Sequence, residues 1–358
     1  MVRLSLTTLF VSLALAGCSS AAPKVFRRQA ASVTKVEATL VVTAADSKFG
    51  ALIEGAGADS NGHIFSANFG AGEKAKNTLG VIVGPKAQTL FYTDANAEAW
   101  FNSVRVIKSS AGEASPVTLL TGDVTGHRVL KVTGVVGEGQ QATATEFCSD
   151  PEMLQPNDLA VTSKGAVYTS GMNYTATTEV GSGDLWWCSP TGEALILDRL
   201  ERTNGIEVSP GNKYLYLSEA KNREGAVTAN TIWRYEIDPV TGVRMENNVP
   251  VKQQVIDFAQ IDDPAVDIDG MRCDAKGNLY VTRNGRGEVA VFDPNYKLIT
   301  VIDTKIKAVK NLEFGGTDGK TLYMVGNCDD DNTKGCASTW QGEAAGLEWT
   351  LLNKKVCH

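Results

Sequence analysis

One short unit recurs along the chain and restricts the fold more than any other feature. It consists of an apolar strand, a polar turn that contains glycine, and a second strand with a large apolar residue. Copies stand at residues 58–69, 160–171, 207–220, 272–284 and 314–327. Aligned on their second strands, successive copies lie 103, 48, 64 and 43 residues apart. Units of this length, none of which can bury its apolar face alone, are typical of a β-propeller.

The number of blades follows from the spacing of the copies. The first interval is about twice the others, so we expect one degenerate copy inside it, with residues 89–94 and 104–109 as its best strands. No long amphipathic helix pattern occurs beyond residue 35, as expected for an all-β chain. Six copies predict a six-bladed β-propeller. The partial unit at residues 35–43 is expected to pair with the last blade and close the ring.

Four oxygen-bearing side chains occupy the same point of the repeat. Glu54, Asn157, Asn204 and Asp269 each stand just before a short apolar run. Taken alone, each is as easily an ordinary turn or loop residue. The innermost strands of a propeller surround a central channel. If each run is the innermost strand of a blade, the four side chains meet at one mouth of this channel. The second strand of each blade runs back to the same mouth. The glycine-containing turns would lie on the opposite face.

Such a group suits a hard cation. Two carboxylates and two amide oxygens are the donors that Ca²⁺ takes, with Mg²⁺ or Mn²⁺ as further possibilities. Zn²⁺ is disfavoured because it prefers imidazole or thiolate ligands and the chain has only three histidines. The sequence therefore predicts a calcium-type site in the central channel.

The N-terminal residues resemble a secretory leader. Residues 4–17 are an apolar run that is too short to span a bilayer. Small residues and a dibasic pair follow, so we expect a signal peptide at 1–21, a short pro-segment at 22–28 and the propeller at 35–358. A bacterial lipoprotein signal that acylates Cys18 is the alternative. We favour a secreted protein that touches no membrane, because of the dibasic pair.

Charge and cysteine content agree with an extracellular protein. Removal of residues 1–28 takes away four cations and no acid, so the net charge falls from −7 to −11, which argues against nucleic acid as a partner. Six cysteines remain, and disulfides are expected in an oxidising compartment. Cys328 and Cys336 bracket a short acidic loop and are the favoured pair. Cys273, inside an apolar strand, is a candidate for a buried free thiol, and the other pairings stay open.

Several motifs together resemble the SMP-30/gluconolactonase/LRE-like family, which contains regucalcin, gluconolactonases and diisopropyl-fluorophosphatase-like phosphotriesterases. The resemblance covers about residues 45–330, and residues 285–302 and 311–327 are similar to the family's fifth and sixth blades. The motifs that carry it are Glu54-Gly55 with Gly62, Pro156-Asn157-Asp158, Asn204-Gly205-Ile206 with Ser209-Pro210, and Asp269-Gly270-Met271 with Asp274 and Gly277. The resemblance implies a six-bladed, calcium-dependent propeller.

The resemblance also implies roles for individual residues. Glu54, Asn204 and Asp269 would be metal ligands, and Asn157 would be a ligand or bind substrate beside the metal. Asp269 would in addition be the catalytic carboxylate, acting as a base on water or as a nucleophile. Gln155 departs from the family, because sugar-lactone members often carry arginine there, and this weakens the case for a sugar lactone.

The predicted function is that of a secreted metal-dependent hydrolase that opens a small-molecule lactone or related ester. A divalent ion would polarise the carbonyl group and stabilise the oxyanion. Two alternatives stay open. The same ion polarises a phosphoryl oxygen, which would give a calcium-dependent phosphotriesterase. The protein could also be a non-catalytic binding propeller in which the ion is structural.

Overall fold

The computed structural model describes residues 33–70, 75–110, 112, 115–137, 139 and 142–353. The expected signal peptide and pro-segment, Cys18 and Cys357 lie outside these residues. Within the described residues, no helix is both long and apolar enough to cross a membrane.

The chain forms six antiparallel β-sheets in succession, which are the blades of a propeller. Blade 1 contains β3 (Phe49–Ala58), β4 (Ile64–Phe69), β5 (Thr78–Gly84) and β6 (Ala87–Thr93). Blade 2 contains β7 (Arg105–Lys108), β8 (Val117–Asp123), β9 (Arg128–Gly134) and β10 (Thr143–Ser149). Blade 3 contains β11 (Gln155–Val161), β12 (Val167–Met172), β13 (Gly183–Cys188) and β14 (Ala194–Leu200).

The later blades carry additions. Blade 4 contains β15 (Arg202–Val208), β16 (Tyr214–Arg223), β17 (Ala226–Asp238) and β21 (Lys252–Asp257). Three short strands stand between β17 and β21 in the chain. Of these, β18 (Gly242–Val243) also pairs with β17, while β19 (Met245–Glu246) and β20 (Val249–Pro250) form a small hairpin. Blade 5 contains β22 (Met271–Cys273), β23 (Leu279–Arg283), β24 (Glu288–Phe292) and β25 (Leu298–Asp303). Blade 6 contains β26 (Ala308–Gly315), β27 (Thr321–Asn327) and β28 (Gly335–Gln341). Within the described residues, 3-10 turns occur at Pro210–Asn212 and Phe258–Gln260, and the α-helix α1 spans Leu347–Asn353.

The ring closes through the N-terminal strands, as predicted for the partial unit. The strand β2 (Thr39–Val42) pairs antiparallel with β28 and becomes the outer strand of blade 6. The preceding strand β1 (Thr34–Glu37) differs from the prediction, because it adds to the outside of blade 5 in parallel with β25. The N-terminal segment thus covers the edges of two adjacent blades, and paired edges are protected from association with other chains.

Six blades are confirmed, but one strand of the degenerate copy was assigned to the wrong blade. Residues 89–94 belong to β6, the outer strand of blade 1, which pairs with β5. The copy inside the long interval is blade 2, built on β7 and β8. The apolar residues of β6 made it look like a strand of a new unit, but only Gln88 and Phe91 of this strand are buried, as suits an outer strand.

Two disulfides are present among the described residues. Cys328–Cys336 confirms the predicted pair and closes the loop between β27 and β28. Cys148–Cys188 joins β10 of blade 2 to β13 of blade 3. Cys273 is a buried free thiol, as expected.

The centre of the molecule is lined by the first strand of each blade. These innermost strands contact one another in ring order, from β3 through β7, β11, β15, β22 and β26 back to β3. The glycine-containing turns connect the first and second strands on one face, and the second strands return to the opposite face. Asn284, directly after β23, accordingly bridges to Asp267, which stands just before β22.

Candidate metal centre

The structure brings the four predicted ligand side chains together at one mouth of the channel. Asn157 and Asn204 lie near the starts of β11 and β15, and Asp269 stands just before β22. Asn157 Nδ2 donates to Asn204 Oδ1 at 2.6 Å. The Asn204 side chain in turn hydrogen-bonds the Asp269 carboxylate, whose charge raises the pKa of Glu54. Side chains from four separate blades therefore form one polar cluster.

Glu54 reaches this cluster from the interior of a strand rather than from its beginning. The strand β3 starts at Phe49, five residues earlier than the sequence pattern suggested. Its register with β4 shifts between Phe49 and Glu54 and again between Glu54 and Gly57. Such bulges bend a strand and redirect a side chain, which explains how a mid-strand glutamate lies at the channel mouth.

Three further polar residues belong to the cluster and were not predicted. Asn102, just before β7, donates a short hydrogen bond to Asn157 Oδ1. Asn284 Nδ2 donates to Asp269 Oδ2 at 2.9 Å. Lys310 of β26 lowers the pKa of Asp269 through its charge. With these, every blade contributes one side chain from its first strand or the residues just before it: Glu54, Asn102, Asn157, Asn204, Asp269 and Lys310.

Burial of two carboxyl groups in one cluster shifts the pKa values of both. Burial raises the pKa of Asp269 from 3.8 to about 6, against the opposing effects of the Asn284 hydrogen bond and the Lys310 charge. The pKa of Glu54 lies well above its usual range. Burial is the larger cause of this shift, and the negative charge of Asp269 is the second. Glu54 is buried and Asp269 is half-buried, and two such carboxylates that repel one another are stabilised by a cation placed between them. The donor set therefore fits a divalent ion.

The glycines that follow two of the candidate ligands allow adjacent blades to approach closely. A β-carbon on Gly205 would lie 2.2 Å from the carbonyl oxygen of Asp269. A β-carbon on Gly270 would lie 2.6 Å from the side-chain oxygen of Asn311 in blade 6. These Asn-Gly and Asp-Gly pairs are therefore more than turn dipeptides. The absence of a side chain on each glycine lets the backbone beside the candidate ligand pack directly against the adjacent blade.

A buried network of charges fills the channel beyond the cluster. Arg105 Nη2 lies 3.1 Å from Asp158 Oδ1, and Arg272 Nε lies 2.9 Å from Glu313 Oε2. Glu207 interacts electrostatically with both arginines, and its pKa is raised by burial to about 7. Blades 2 to 6 each contribute one of these side chains. The network connects their innermost strands below the cluster.

The opposite mouth of the channel is covered by the helix α1. Glu348 of α1 is buried, and its Oε1 lies 3.1 Å from Arg105 Nε. A cavity of about 780 Å³ lies beside α1 and is lined by the turns of blades 3 and 4, among other residues. The lining of this cavity contains none of the predicted ligands, which lie at the other mouth.

Fold and cluster together define a six-bladed β-propeller with a ring of acidic and amide side chains at one channel mouth. The family model described as SMP-30/Gluconolactonase/LRE-like region matches residues 80–326, and the chain belongs to this family. The resemblance noted from the sequence motifs is thereby confirmed.

Individual relatives are distant. The pentonolactonase XacC of Haloferax volcanii is 23% identical over 220 residues, which are 61% of this chain and 68% of that protein. An uncharacterized protein of Sulfolobus acidocaldarius is 27% identical over 157 residues, or 41% of this chain. The chain matches 52% of that relative, about half its length.

Solved structures that share the fold include the following two. The calcium-binding protein regucalcin from Agrobacterium tumefaciens superposes with a TM-score of 0.64 at 18% identity and covers 88% of this chain and 99% of its own. A luciferin-regenerating enzyme gives a TM-score of 0.62 at 15% identity and covers 87% of this chain and 98% of its own. At these levels of identity, both similarities show a shared fold and nothing more.

Proposed function

We propose that this protein is a metal-dependent hydrolase that opens a lactone or related ester at the candidate metal centre. The observation that carries the proposal is the convergence of Glu54 and Asp269 with the amides of Asn157 and Asn204 at one channel mouth. The family contains lactonases, and the name of the Haloferax relative describes a pentonolactonase.

The proposed ligands are Glu54, Asn157, Asn204 and Asp269, and the proposed ion is Ca²⁺. All four side chains offer hard oxygen donors, which calcium prefers, and Mg²⁺ or Mn²⁺ could take the same set. The hydrogen bonds between the amides do not prevent coordination, because an amide oxygen keeps a second lone pair. A bound divalent ion would polarise the substrate carbonyl and stabilise negative charge on its oxygen.

The chain's own residues supply the orientation and the base. Asp269 is held by Asn284 at 2.9 Å, and its backbone N–H donates to Thr282 Oγ1 at 3.0 Å. These contacts leave lone pairs on the carboxylate for a proton or a carbon centre. Asp269 would therefore take a proton from water or attack the carbonyl as a nucleophile. Asn157, held between Asn102 and Asn204, would bind the ion or the substrate beside it.

Secretion forms part of the same proposal. The two disulfides, Cys148–Cys188 and Cys328–Cys336, agree with an oxidising compartment. A signal peptide at 1–21 with a pro-segment at 22–28 would deliver the enzyme there. Mass determination of the mature N-terminus from a secreting host would test this, and a chain that still begins at residue 1 would contradict it.

The test of the proposed activity is hydrolysis of aliphatic, sugar and aromatic lactones and a fluorophosphate ester, with calcium and after chelation. We expect chelator-sensitive opening of at least one lactone, and a loss of at least about a hundredfold in Asp269→Asn. Asp293→Asn is the matched control, since the Asp293 Oδ1 contacts lie in an exposed turn of blade 5 and an amide oxygen can keep them.

Other outcomes would select the alternatives. Turnover of the fluorophosphate alone would indicate a phosphotriesterase. No turnover, with calcium still raising the melting temperature, would favour a binding propeller with a structural ion.

A further inference from the structure

Lys310 is the basic residue of the cluster. Blade 6 lies between blade 5 and blade 1 in the ring, so Lys310 stands between Asp269 and Glu54 in the order of the blades. Its backbone oxygen accepts from Gly270 N at 2.7 Å, beside Asp269. Its Nζ donates to Ala51 O at 3.0 Å, on the strand that carries Glu54. Lys310 is therefore held on both sides.

The ammonium group acts on the two carboxylates without being bound by either. Its charge lowers the pKa of Glu54 and of Asp269. Within the part of the chain that the structure describes, Lys310 forms no ion pair at 4.0 Å or less, and its side-chain hydrogen bond goes to a neutral carbonyl group. An ammonium group has three N–H donors, so two remain for another acceptor. Lys310 is also only partly buried.

The cluster is thus asymmetric in charge. The hydrogen-bonded amides of Asn102, Asn157 and Asn204 form a neutral arc on one side. The other side carries two carboxylates with the lysine between them. The two positive charges of a divalent ion would neutralise the carboxylates of Glu54 and Asp269. The positive charge of Lys310 would then have no negative partner in the cluster. An anionic group on the substrate could provide that partner through charge-assisted hydrogen bonds.

We propose that Lys310 makes this site selective for lactones that bear a carboxylate next to the ring. The inference rests on the proposed lactonase function and names its substrate class. The lactone carbonyl would be placed at the metal position, and the ring substituent would point toward blade 6. The Lys310 ammonium would bind the substituent, while Asn102, Asn157 and Asn204 would face the uncharged part of the ring.

The experiment compares two substrates that differ in charge alone. They are 5-oxotetrahydrofuran-2-carboxylic acid and its primary carboxamide, which have the same lactone ring. For the wild-type protein with calcium, we expect kcat/KM to be at least tenfold higher for the acid. In Lys310→Met this ratio should fall at least tenfold, because methionine is apolar and of similar length. Lys310→Arg is the matched control and should keep most of the preference, since it keeps the charge.

A second readout, independent of turnover, is calcium affinity measured by titration calorimetry. Removal of a cation beside two ligand carboxylates should tighten calcium binding in Lys310→Met by about three- to tenfold, and Lys310→Arg should bind as the wild type does. An unchanged substrate ratio in Lys310→Met, with a normal melting temperature, overturns the inference and leaves the lactonase proposal intact. A wild-type protein that opens other lactones but neither of these two overturns the selectivity alone, whereas a wild-type protein that opens no lactone of any kind overturns the lactonase proposal as well.

Discussion

Replacement of Glu207 by glutamine tests the electrostatics of the channel directly. Glu207 is 1% exposed, and burial raises its pKa from 4.5 to about 7. Between these two pH values the folded protein holds a proton that the unfolded chain has released. The stability that this group contributes is therefore fully present below pH 4.5 and is lost as the pH rises through about 7.

The size of the effect follows from the pKa shift. At about 1.4 kcal/mol for each pH unit, a change from 4.5 to about 7 corresponds to a loss of roughly 3 kcal/mol in wild-type stability. The variant Glu207→Gln stays neutral at every pH and keeps an oxygen for the 2.7 Å hydrogen bond from Val208 N. We expect the variant to lie within about 1 kcal/mol of the wild type at pH 5 and to be about 2–3 kcal/mol more stable at pH 8.

The assay is urea unfolding followed by tryptophan fluorescence at pH 5, 6, 7 and 8, at constant ionic strength and with calcium chelated. Chelation removes calcium binding from the comparison, and the titration of Glu54 and Asp269 is common to both proteins, so it cancels in the stability difference. A stability difference that is the same at pH 5 and pH 8, or that favours the variant only in acid, would refute the assignment of a raised pKa to Glu207.

Two further predictions concern the disulfide and the close approach of blades. The Cys148–Cys188 bond spans 40 residues, and the double serine variant should lose about 4 kcal/mol of unfolding free energy; an unchanged urea midpoint would count against this. In Gly205→Ala the new methyl group would meet the Asp269 carbonyl at 2.2 Å, so calcium affinity in calorimetry should fall at least tenfold. Gly84→Ala, whose β-carbon has Ala87 at 3.9 Å as its nearest neighbour, should bind like the wild type, and equal affinities in both variants would contradict the argument.

The blade pattern was predictable because it is local. Alternating apolar residues and glycine-containing turns determine a strand pair whatever surrounds it, and five of the six units carried that signal. Blade 2 was only partly recognised, since β7 has four residues and the outer strand β6 of blade 1 looks like the start of a unit. The Cys328–Cys336 pair was also local, because the two positions are eight residues apart in the sequence.

The candidate site was predictable only where its residues belong to the repeat. Asn157, Asn204 and Asp269 recur at one position of the unit, and blade order brings such positions together. Asn102 belongs to the unit whose sequence is most degenerate, and Lys310 is one of many lysines in the chain. A signal for Lys310 did exist, because it occupies the blade 6 position that corresponds to Asp269, but a cation was not expected among ligands.

The sequence by itself determined five of the six strand units, the number and order of the blades, and the oxygen donors Glu54, Asn157, Asn204 and Asp269. Only the tertiary structure decided which side chains meet across blades: the Cys148–Cys188 bond, the arginine and carboxylate network, and the placement of Lys310 between two carboxylates. The physical reason is the range of the interactions. Strand alternation and turn formation act over a few residues, whereas contacts across the channel depend on the closure of the whole ring.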